Sequence, residues 1–305
     1  MAELVIPTKL AATVVRWEGD GGRRWLARLP QLVEELADEW DLEVGEPFDP
    51  GGNISWVAPV RCRADGLHAV LKLQHPHPES DPEAAGLRAW AGHGAVQLHD
   101  HDSARCALLI ERCRPGTALV AEGGSDDAVA AGAALGARLH AAPVPRGLPT
   151  LASVLDGWAD ELEARLDEPI GDPALGELAL ATMRTRPRAC RDVALLHGDL
   201  NPTNVLAADR ERWLAIDPKP MAGDPAYDAP RLVTQPDPSA SVDPAATMAR
   251  RLDVVSAEMG VERDAVVVWC LVDAIEMSAS ARAHGDPEGA KQAAERATLI
   301  APHLS

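Results

Sequence analysis

The 305-residue sequence contains few aromatic residues and few lysines. Phenylalanine and tyrosine occur once each, and aromatic residues make up 3% of the chain. The 29 Lys and Arg residues are outnumbered by 47 Asp and Glu residues, which gives a formal charge of −18 at pH 7. Binding to nucleic-acid phosphates needs a face rich in Lys and Arg. We therefore expect no nucleic-acid partner and favour a cationic small molecule instead.

Cysteines and long apolar runs are also scarce. The five cysteines are scattered and form no Cys-x-x-Cys pair, which disfavours a disulfide framework or a zinc site. The longest apolar run, near 265–272, ends at Asp273 and is far shorter than the about 20 residues that span a bilayer. The N-terminus lacks the basic segment of a signal peptide. These features predict a cytoplasmic protein that does not bind membranes.

Two motifs of common enzyme classes are absent. The sequence contains no Gly-x(4)-Gly-Lys-Ser/Thr motif, which disfavours a P-loop enzyme. It contains no Gly-x-Ser-x-Gly motif either, which removes the usual nucleophile turn of α/β-hydrolases. The 46% hydrophobic and 25% charged content is typical of a soluble globular protein, and at roughly 150 residues per domain the length predicts two domains.

The hydrophobic pattern changes in character after Pro115. Before it, alternating strands at 54–62 and 68–73 flank a turn, and a helix is predicted over 81–91, which indicates a small antiparallel sheet carrying one helix. After it, the pattern is that of long helices. We therefore predict an α+β protein whose N-terminal domain covers residues 1–112 and whose mainly helical C-terminal domain covers residues 113–305. The clearest helical segments are 126–140, 153–167, 174–190, 248–259 and 263–283.

Two further strands are predicted at 96–98 and 104–113. This assignment leaves His99 and His101 in a polar loop between them. Their His-x-His spacing is that of a metal-binding pair, but we interpret them as solvated loop side chains.

The most informative stretch reads LLHGDLNPTNVLAADRERWLAIDPKP. Asp199 and Asn204 lie five positions apart in a loop, and Asp217 follows thirteen positions later, after a predicted hairpin. A hairpin folds back on itself, so the acid, the amide and the second acid can face one another. Phosphoryl transfer needs this set: a carboxylate to deprotonate an alcohol, and oxygen ligands to hold Mg²⁺ on a nucleotide. The alternative is that all three are simply turn-forming residues.

This region resembles the aminoglycoside phosphotransferases, and within them the streptomycin 6-kinase and hydroxyurea phosphotransferase group. The resemblance implies a two-lobed, protein-kinase-like fold and the use of ATP and Mg²⁺. It also implies transfer of phosphate to a hydroxyl of an aminoglycoside, foremost streptomycin at its 6 position, and hence antibiotic resistance. The motifs that carry it are 197–200 (HGDL), 204–206 (NVL), 216–219 (IDPK) and 223–228 (GDPAYD).

The resemblance also implies roles for the three oxygen-bearing residues. Asp199 is expected to be the catalytic base, and Asn204 and Asp217 are expected to bind Mg²⁺. We interpret His197 as a packed residue that orients the loop, because Asp199 lies nearer the expected chemistry. The chain departs from the family's loop, HGDLHPGNVL, at Asn201 and Thr203, which stand where a His and a Gly are expected.

Two alternatives to an aminoglycoside kinase stay open. The acceptor could be hydroxyurea or another small hydroxylated metabolite. Outside enzymes, the chain could be a nucleotide- or drug-binding protein without catalytic activity. In either case we expect a monomer or a weak dimer.

The N-terminal domain supplies candidate nucleotide-binding residues. Lys72 lies in an otherwise apolar strand, where its charge must reach solvent or meet an anion. In a kinase-like sheet it would bind the α- and β-phosphates of ATP, held by a Glu on the next helix, and Glu83 is the candidate partner. The alternatives are an exposed edge-strand lysine and, for Glu83, a capping box with Ser80.

Further candidates lie on both sides of Lys72. The turn containing Gly52, Asn53 and Ser55 is a candidate phosphate-covering loop, although it lacks the Gly-x-Gly-x-x-Gly pattern and could be a plain hairpin turn. The segment from Glu111 to Cys113 resembles the kinase hinge, whose backbone reads adenine.

The motif at 223–228 contains three residues that are candidates for contact with the substrate. Asp224, Tyr227 and Asp228 follow the expected metal ligand Asp217. The alternative is that this turn pins the C-terminal domain, with Asp228 binding backbone groups. Carboxylates of the helical domain could in addition form an acidic pocket, which would attract a guanidino-sugar such as streptomycin.

Overall fold

The structure, a computed structural model, describes residues 4–49, 51–76, 80–166 and 172–304. The chain divides into two compact units, residues 1–92 with 96–114 and residues 93–95 with 115–305. The short segment 93–95 belongs to the second unit because Ala95 forms a bridge with Ala215, and Gly94 O accepts a hydrogen bond of 2.8 Å from Ala215 N. The sequence suggested a division after Arg112, and the functions assigned to the two parts stay predictions.

The first unit is built on a five-stranded antiparallel sheet with the order β1-β2-β3-β5-β4. Its central hairpin is the one that the alternating pattern predicts. Helix α2 occupies the predicted position to within one residue at each end. The elements are α1 (Thr8–Glu39), β1 (Leu42–Val44), β2 (Ser55–Cys62), β3 (His68–Gln74), α2 (Ser80–Trp90), β4 (Leu98–Asp102) and β5 (Ala107–Glu111).

Helix α1 supplies much of the first unit's core. Its apolar residues recur at helical spacing, with Trp25, Leu29 and Leu36 buried in one cluster with the sheet residues Trp56 and Leu71. Periodicity of this kind produces one apolar stripe along a helix. The hydrophobic pattern predicts a helix over 25–40, whereas α1 begins at Thr8 and is kinked at Gly19, whose φ of +54° is non-helical.

The prediction of a polar loop at 99–101 is wrong. These residues form the edge strand β4, whose His101 and Asp102 pair with Leu108 and Ala107 of β5. An edge strand can carry polar side chains on its open side, so its sequence need not show the apolar alternation of a buried strand.

The second unit is mainly helical, with two short antiparallel ladders, β6 with β9 and β7 with β8. Helices α3 and α8 have the bounds that the sequence predicts. Together with the sheet of the first unit, this confirms the predicted α+β fold class. The elements are α3 (Asp126–His140), α4 (Leu151–Glu163), α5 (Pro173–Ala189), β6 (Ala194–Leu196), β7 (Val205–Ala207), β8 (Trp213–Ala215), β9 (Met221–Gly223), α6 (Pro230–Thr234), α7 (Pro244–Met259), α8 (Arg263–Ala283) and α9 (Pro287–Ile300).

Local side-chain chemistry fixes the helix ends of the second unit. Ser125 caps α3 by accepting a hydrogen bond from Ala128 N, and acidic residues occupy the first turn. Thr150 and Ser153 form a reciprocal capping box at the start of α4. Such caps satisfy backbone N–H groups that have no partner inside the helix. The predicted end of α4 at Asp167 lies outside the described residues.

The structure bears on two exclusions drawn from composition. The five cysteines are free thiols, as their spacing predicts. Across the described ranges, each helix is too short or too polar to cross a membrane.

Replacement of Gly223 by alanine should destabilise the second unit. A Cβ atom there would lie 2.5 Å from Leu151 Cβ at the start of α4, so the helix must shift, and overpacking of this kind costs about 1–3 kcal/mol. The control is Gly157→Ala inside α4, where a methyl group has open space and should stabilise the helix by up to about 1 kcal/mol. Chemical denaturation measures both, and a Gly223→Ala variant as stable as the wild type would contradict the packing described.

Candidate active site

The pairing of β7 with β8 brings Asn204 and Asp217, the two predicted metal ligands, to the same end of one hairpin. Val205 pairs with Ala215, and the next hydrogen bond runs from Ile216 N to Asn204 O at 2.9 Å. Asn204 therefore lies opposite Ile216, and Asp217 follows at the same end of the hairpin. The separation of thirteen positions in sequence is closed by strand pairing.

Asn204 is tied directly to Asp199. Its Nδ2 donates a hydrogen bond of 3.0 Å to the backbone oxygen of Asp199, and its own N–H is bonded to Asn201 O at 2.9 Å. Since the amide nitrogen is committed to the loop, the amide oxygen is the atom that Asn204 can offer to a cation. The loop thus brings the predicted base and one predicted metal ligand within hydrogen-bonding distance of each other.

Asn201, one of the two departures from the family's loop, holds the predicted base. Its Nδ2 donates to Asp199 Oδ1 at 3.0 Å, while its Oδ1 accepts from Thr203 N at 2.9 Å and from Asn204 N at 3.2 Å. Thr203 Oγ1 also donates to Asn201 Oδ1. The amide therefore links the carboxylate of Asp199 to the backbone of the same loop and limits its rotation.

His197 is buried and orients the loop, which confirms the interpretation drawn from the sequence. Its Nε2 donates to Ile216 O at 3.1 Å, and its Nδ1 accepts from Asp199 N at 3.3 Å. Both bonds require the neutral ring with the proton on Nε2. Burial lowers the pKa of His197, which favours this neutral form. The ring thus connects the start of the loop to the residue before Asp217.

Asp228 fixes the backbone at the start of the loop that carries Asp199. Its Oδ2 accepts from His197 N and its Oδ1 from Gly198 N, each at 2.8 Å. His140 Nε2, at the end of α3, contacts Oδ2 at 2.8 Å. Burial alone raises the pKa of Asp228, but the His140 bond and the loop N–H groups outweigh it and hold the pKa below its ordinary value. These contacts favour the structural role that the sequence left open.

Asp224 and Tyr227 also contact protein groups. Asp224 Oδ2 accepts from Arg186 Nε at 2.8 Å and from Trp269 Nε1 at 2.9 Å. The ring of Tyr227 packs edge-on against Trp269, with centroids 5.2 Å apart. Burial raises the pKa of Tyr227, so its hydroxyl stays protonated. These contacts join the turn to α5 and α8, and direct substrate contact stays a prediction for all three residues.

The predicted metal ligands fit a hard cation. Asp217 is exposed and has a left-handed backbone, with φ of +56°, and its carboxylate and the amide oxygen of Asn204 are the ligand types that Mg²⁺ prefers. In the part of the chain that the structure describes, clusters of three or more His, Cys, Asp or Glu side chains suited to a metal are absent. The role of Asn204 and Asp217 as metal ligands stays a prediction.

In the first unit, Lys72 and Glu83 form a buried ion pair. Lys72 Nζ lies 2.7 Å from both Oε1 and Oε2 of Glu83, and the two residues are 5% and 1% exposed. The pairing that the sequence suggested is thus present, and Lys72 is not an exposed edge-strand lysine. Its role toward a nucleotide stays a prediction, as does the capping box, because the side chain of Ser80 lies outside the described part of the chain.

The remaining candidates lie along the same sheet. Ser55 is the first residue of β2 and pairs with Gln74. The turn that holds Gly52 and Asn53 therefore enters the sheet two positions before Val57, which pairs with Lys72. Glu111 ends β5, and its Oε2 accepts from Gln97 N at 3.0 Å. Cys113 follows in the loop after β5. The phosphate-loop and hinge roles of these residues stay predictions.

Sequence reasoning missed the residues that hold the candidates in place. Asn201 was a visible signal, because it departs from the family's loop directly beside the base. The others carry no local signal, because each meets its partner only through the packing of two elements. They are His140 at the end of α3, Arg186 in α5, Trp269 in α8 and Gln74 in β3.

Solved structures share this fold. Choline kinase LicA from Streptococcus pneumoniae superposes with a TM-score of 0.63 at 14% identity and covers 90% of this chain and 99% of its own. A thermostable mutant of aminoglycoside phosphotransferase APH(4)-Ia, in ternary complex with ADP and hygromycin B, gives 0.63 at 16% identity, with coverages of 88% and 96%. At these identities the likeness concerns the fold alone.

Sequence relatives are considerably more similar. A streptomycin 6-kinase from Streptomyces glaucescens is 40% identical over 272 residues, covering 87% of this chain and 86% of the relative. A hydroxyurea phosphotransferase from Kitasatospora aureofaciens is 38% identical over 283 residues, with coverages of 88% and 78%. The model of the aminoglycoside/hydroxyurea antibiotic resistance kinases matches residues 42–285. The resemblance seen in the HGDL and GDPAYD motifs is thereby confirmed: the chain belongs to the aminoglycoside/hydroxyurea antibiotic resistance kinase family.

Proposed function

We propose that this protein transfers the γ-phosphoryl group of ATP to a hydroxyl of streptomycin, at its 6 position, and so inactivates the drug. The observation that carries the proposal is the hydrogen-bonded loop in which Asn204 Nδ2 binds Asp199 O at 3.0 Å while Ile216 N binds Asn204 O at 2.9 Å. This network gathers an acid, an amide and the residue before a second acid, as phosphoryl transfer to an alcohol requires.

At phosphorus, the reaction makes one bond and breaks one. The acceptor oxygen forms a bond to the γ-phosphorus, and the bond from that phosphorus to the β–γ bridging oxygen breaks, which releases ADP. Asp199 accepts the proton of the acceptor hydroxyl. Its carboxylate is suited to this because Asn201 binds one oxygen, so the group is held in one orientation before the acceptor arrives.

Asn204 and Asp217 would hold Mg²⁺. When bound, the ion would neutralise negative charge on the nucleotide phosphates. The contribution of this chain is to present one neutral and one charged oxygen ligand at the same end of the β7–β8 hairpin. The neutral His197 supports that arrangement, because it bonds the backbone of Asp199 and of Ile216.

Residues of the first unit would bind the nucleotide. Lys72, oriented by Glu83, would contact the α- and β-phosphates, and the turn with Gly52, Asn53 and Ser55 would cover them. The backbone from Glu111 to Cys113 would bind adenine. The family and its nucleotide-bound structural neighbours support the use of a nucleotide, and the proposal specifies ATP.

The acidic composition of the chain supports a cationic acceptor. Burial alone lowers the pKa of Arg231, but the carboxylates of Asp273 and Asp199 outweigh that effect and raise it. Arg231 Nε lies 2.7 Å from Asp273 Oδ1. Burial and the neighbouring Asp273 raise the pKa of Glu276, one turn along α8. The cationic Arg231 therefore offsets part of the carboxylate charge near Asp199, and the attraction for the guanidinium groups of streptomycin rests on the net charge of −18.

Hydroxyurea is the second candidate acceptor, because a relative with that activity is 38% identical to this chain. Hydroxyurea carries no guanidinium group, so the net charge of −18 favours streptomycin. A binding protein without catalytic activity is disfavoured, because Lys72, Asp199, Asn204 and Asp217 are all present.

An acceptor panel tests the proposed function. The purified protein with ATP and Mg²⁺ should release ADP with streptomycin at a kcat/KM more than about tenfold above that for hydroxyurea or a simple amino alcohol, the discrimination that one misfit group provides. Phosphorus NMR of the product should identify the 6-phosphate. Turnover of hydroxyurea but not of streptomycin would show that hydroxyurea is the acceptor and would overturn the proposal for streptomycin.

Asp199→Asn should lower kcat by about 10²- to 10⁴-fold, the usual contribution of a general base. The amide keeps the size of the side chain but cannot accept the hydroxyl proton. The matched control is Asp209→Asn in the exposed turn between β7 and β8, which should keep wild-type activity. If Asp199→Asn retains the wild-type kcat for ADP release with streptomycin, Asp199 is not the base.

Asp217→Asn should raise the Mg²⁺ concentration that gives half-maximal activity. Loss of the charged ligand should lower the affinity for Mg²⁺ by more than about tenfold. That is the usual cost of losing a group that contacts a metal ligand but not the metal itself. Steady-state rates over a Mg²⁺ titration measure the change, again against Asp209→Asn. An unchanged Mg²⁺ dependence would remove Asp217 from the metal site.

A further inference from the structure

Gln74, at the end of β3, contacts the ion pair predicted to bind nucleotide phosphates. Its Nε2 donates to Glu83 Oε2 at 2.5 Å, and the residue is 4% exposed. Lys72 Nζ contacts the same oxygen at 2.7 Å. One carboxylate oxygen of Glu83 is therefore shared between Lys72 and Gln74.

Strand geometry explains how both residues reach Glu83. Residues two positions apart on a strand point to the same face, about 6–7 Å apart. Lys72 and Gln74 thus face α2 side by side, and Glu83 lies where both can reach it. The intervening Leu73 belongs to the apolar core cluster. The position of Gln74 relative to the pair is therefore fixed by the strand and does not depend on a flexible loop.

The orientation of the Gln74 amide follows from charge. An ionised carboxylate only accepts hydrogen bonds, so the NH₂ group must face Glu83. The opposite orientation would bring the amide oxygen against Glu83 Oε2. The Oε1 atom of Gln74 is buried and has no hydrogen-bond partner among the described residues, so the contact with Glu83 is what sets this amide.

The donor from Gln74 adds to the hydrogen bonds that the buried carboxylate of Glu83 receives. A buried charge needs several hydrogen bonds to offset its desolvation. Lys72 and Gln74, two donors from β3, both bind this carboxylate and restrict its rotation. Since Glu83 in turn contacts Lys72 through both oxygens, its orientation determines where the ammonium group lies.

The sheet register places this contact at the end of the sheet where the candidate phosphate turn enters. Gln74 pairs with Ser55, and Lys72 pairs with Val57. Gln74 therefore lies between Lys72 and the turn that contains Gly52 and Asn53. A shift of Glu83 would move the ammonium group relative to that turn.

We propose that Gln74 is a positioning residue for nucleotide binding, which acts by holding Glu83 so that Glu83 holds Lys72. The inference rests on the proposed function, in which Lys72 binds the phosphates of ATP. If Gln74 only filled space in the core, its effect on ATP binding would not depend on Glu83. In the proposed role, the effect of Gln74 on ATP binding passes through Glu83.

The test is a double-mutant cycle read out as ATP binding. Gln74→Met keeps the length of the side chain but removes the donor, and should weaken binding of ATP with Mg²⁺ about 3- to 10-fold in calorimetry, the range for one hydrogen bond. In a Glu83→Met background, which removes the acceptor atoms, Gln74→Met should cause no further loss. The KM for ATP should rise in parallel, while the KM for streptomycin stays unchanged. The control is Gln31→Met, which removes an equivalent bond to Glu35 on the exposed face of α1 and should leave ATP binding unchanged.

The outcomes separate this inference from the proposed function. Wild-type ATP affinity in a folded Gln74→Met variant, or losses that multiply in the double variant, would overturn the inference alone. A wild-type protein that binds no ATP would overturn both. If Gln74→Met fails to fold, Gln74→Asn serves in its place, because the shorter amide stays polar but is withdrawn from Glu83. It should show the same loss of ATP affinity, and unchanged affinity would overturn the inference.

Discussion

The buried carboxylate of Asp228 is the interaction on which the candidate active site depends. It accepts hydrogen bonds from two consecutive backbone N–H groups, those of His197 and Gly198, and contacts the ring of His140. Burial opposes the charge, so the carboxylate stays ionised only because these groups surround it. The start of the loop is thereby fixed, and the position of Asp199 follows from it within two residues.

In each unit, a buried carboxylate fixes the position of a neighbouring group. In the second unit, a buried acid fixes the backbone of the loop that carries Asp199. In the first unit, a buried acid, Glu83, fixes the side chain of Lys72 and is itself held by Gln74. A buried charge is costly without partners and strongly directional with them, which makes it suitable for orienting a neighbour that must meet a charged substrate.

Some elements were predictable because their signals are local. Helix α3 has a capping serine, acidic residues in its first turn and basic residues in its last, and its predicted bounds match the structure. The β2–β3 hairpin shows clear alternation. Only Leu98 of strand β4 falls in a predicted strand, because the polar residues that follow it hide the pattern.

The sequence by itself determined the fold class and which residues carry the candidate chemistry, because helical periodicity, strand alternation and short motifs such as HGDL and IDPK are written in neighbouring positions. Tertiary structure decided which partners hold those residues. The contacts of His140 with Asp228 and of Asp224 with Trp269 join residues 88 and 45 positions apart, and that of Gln74 with Glu83 depends on how α2 packs on β3. Only packing brings such groups within 3 Å of one another, because hydrogen bonds of this kind require the backbones of both elements to be fixed first.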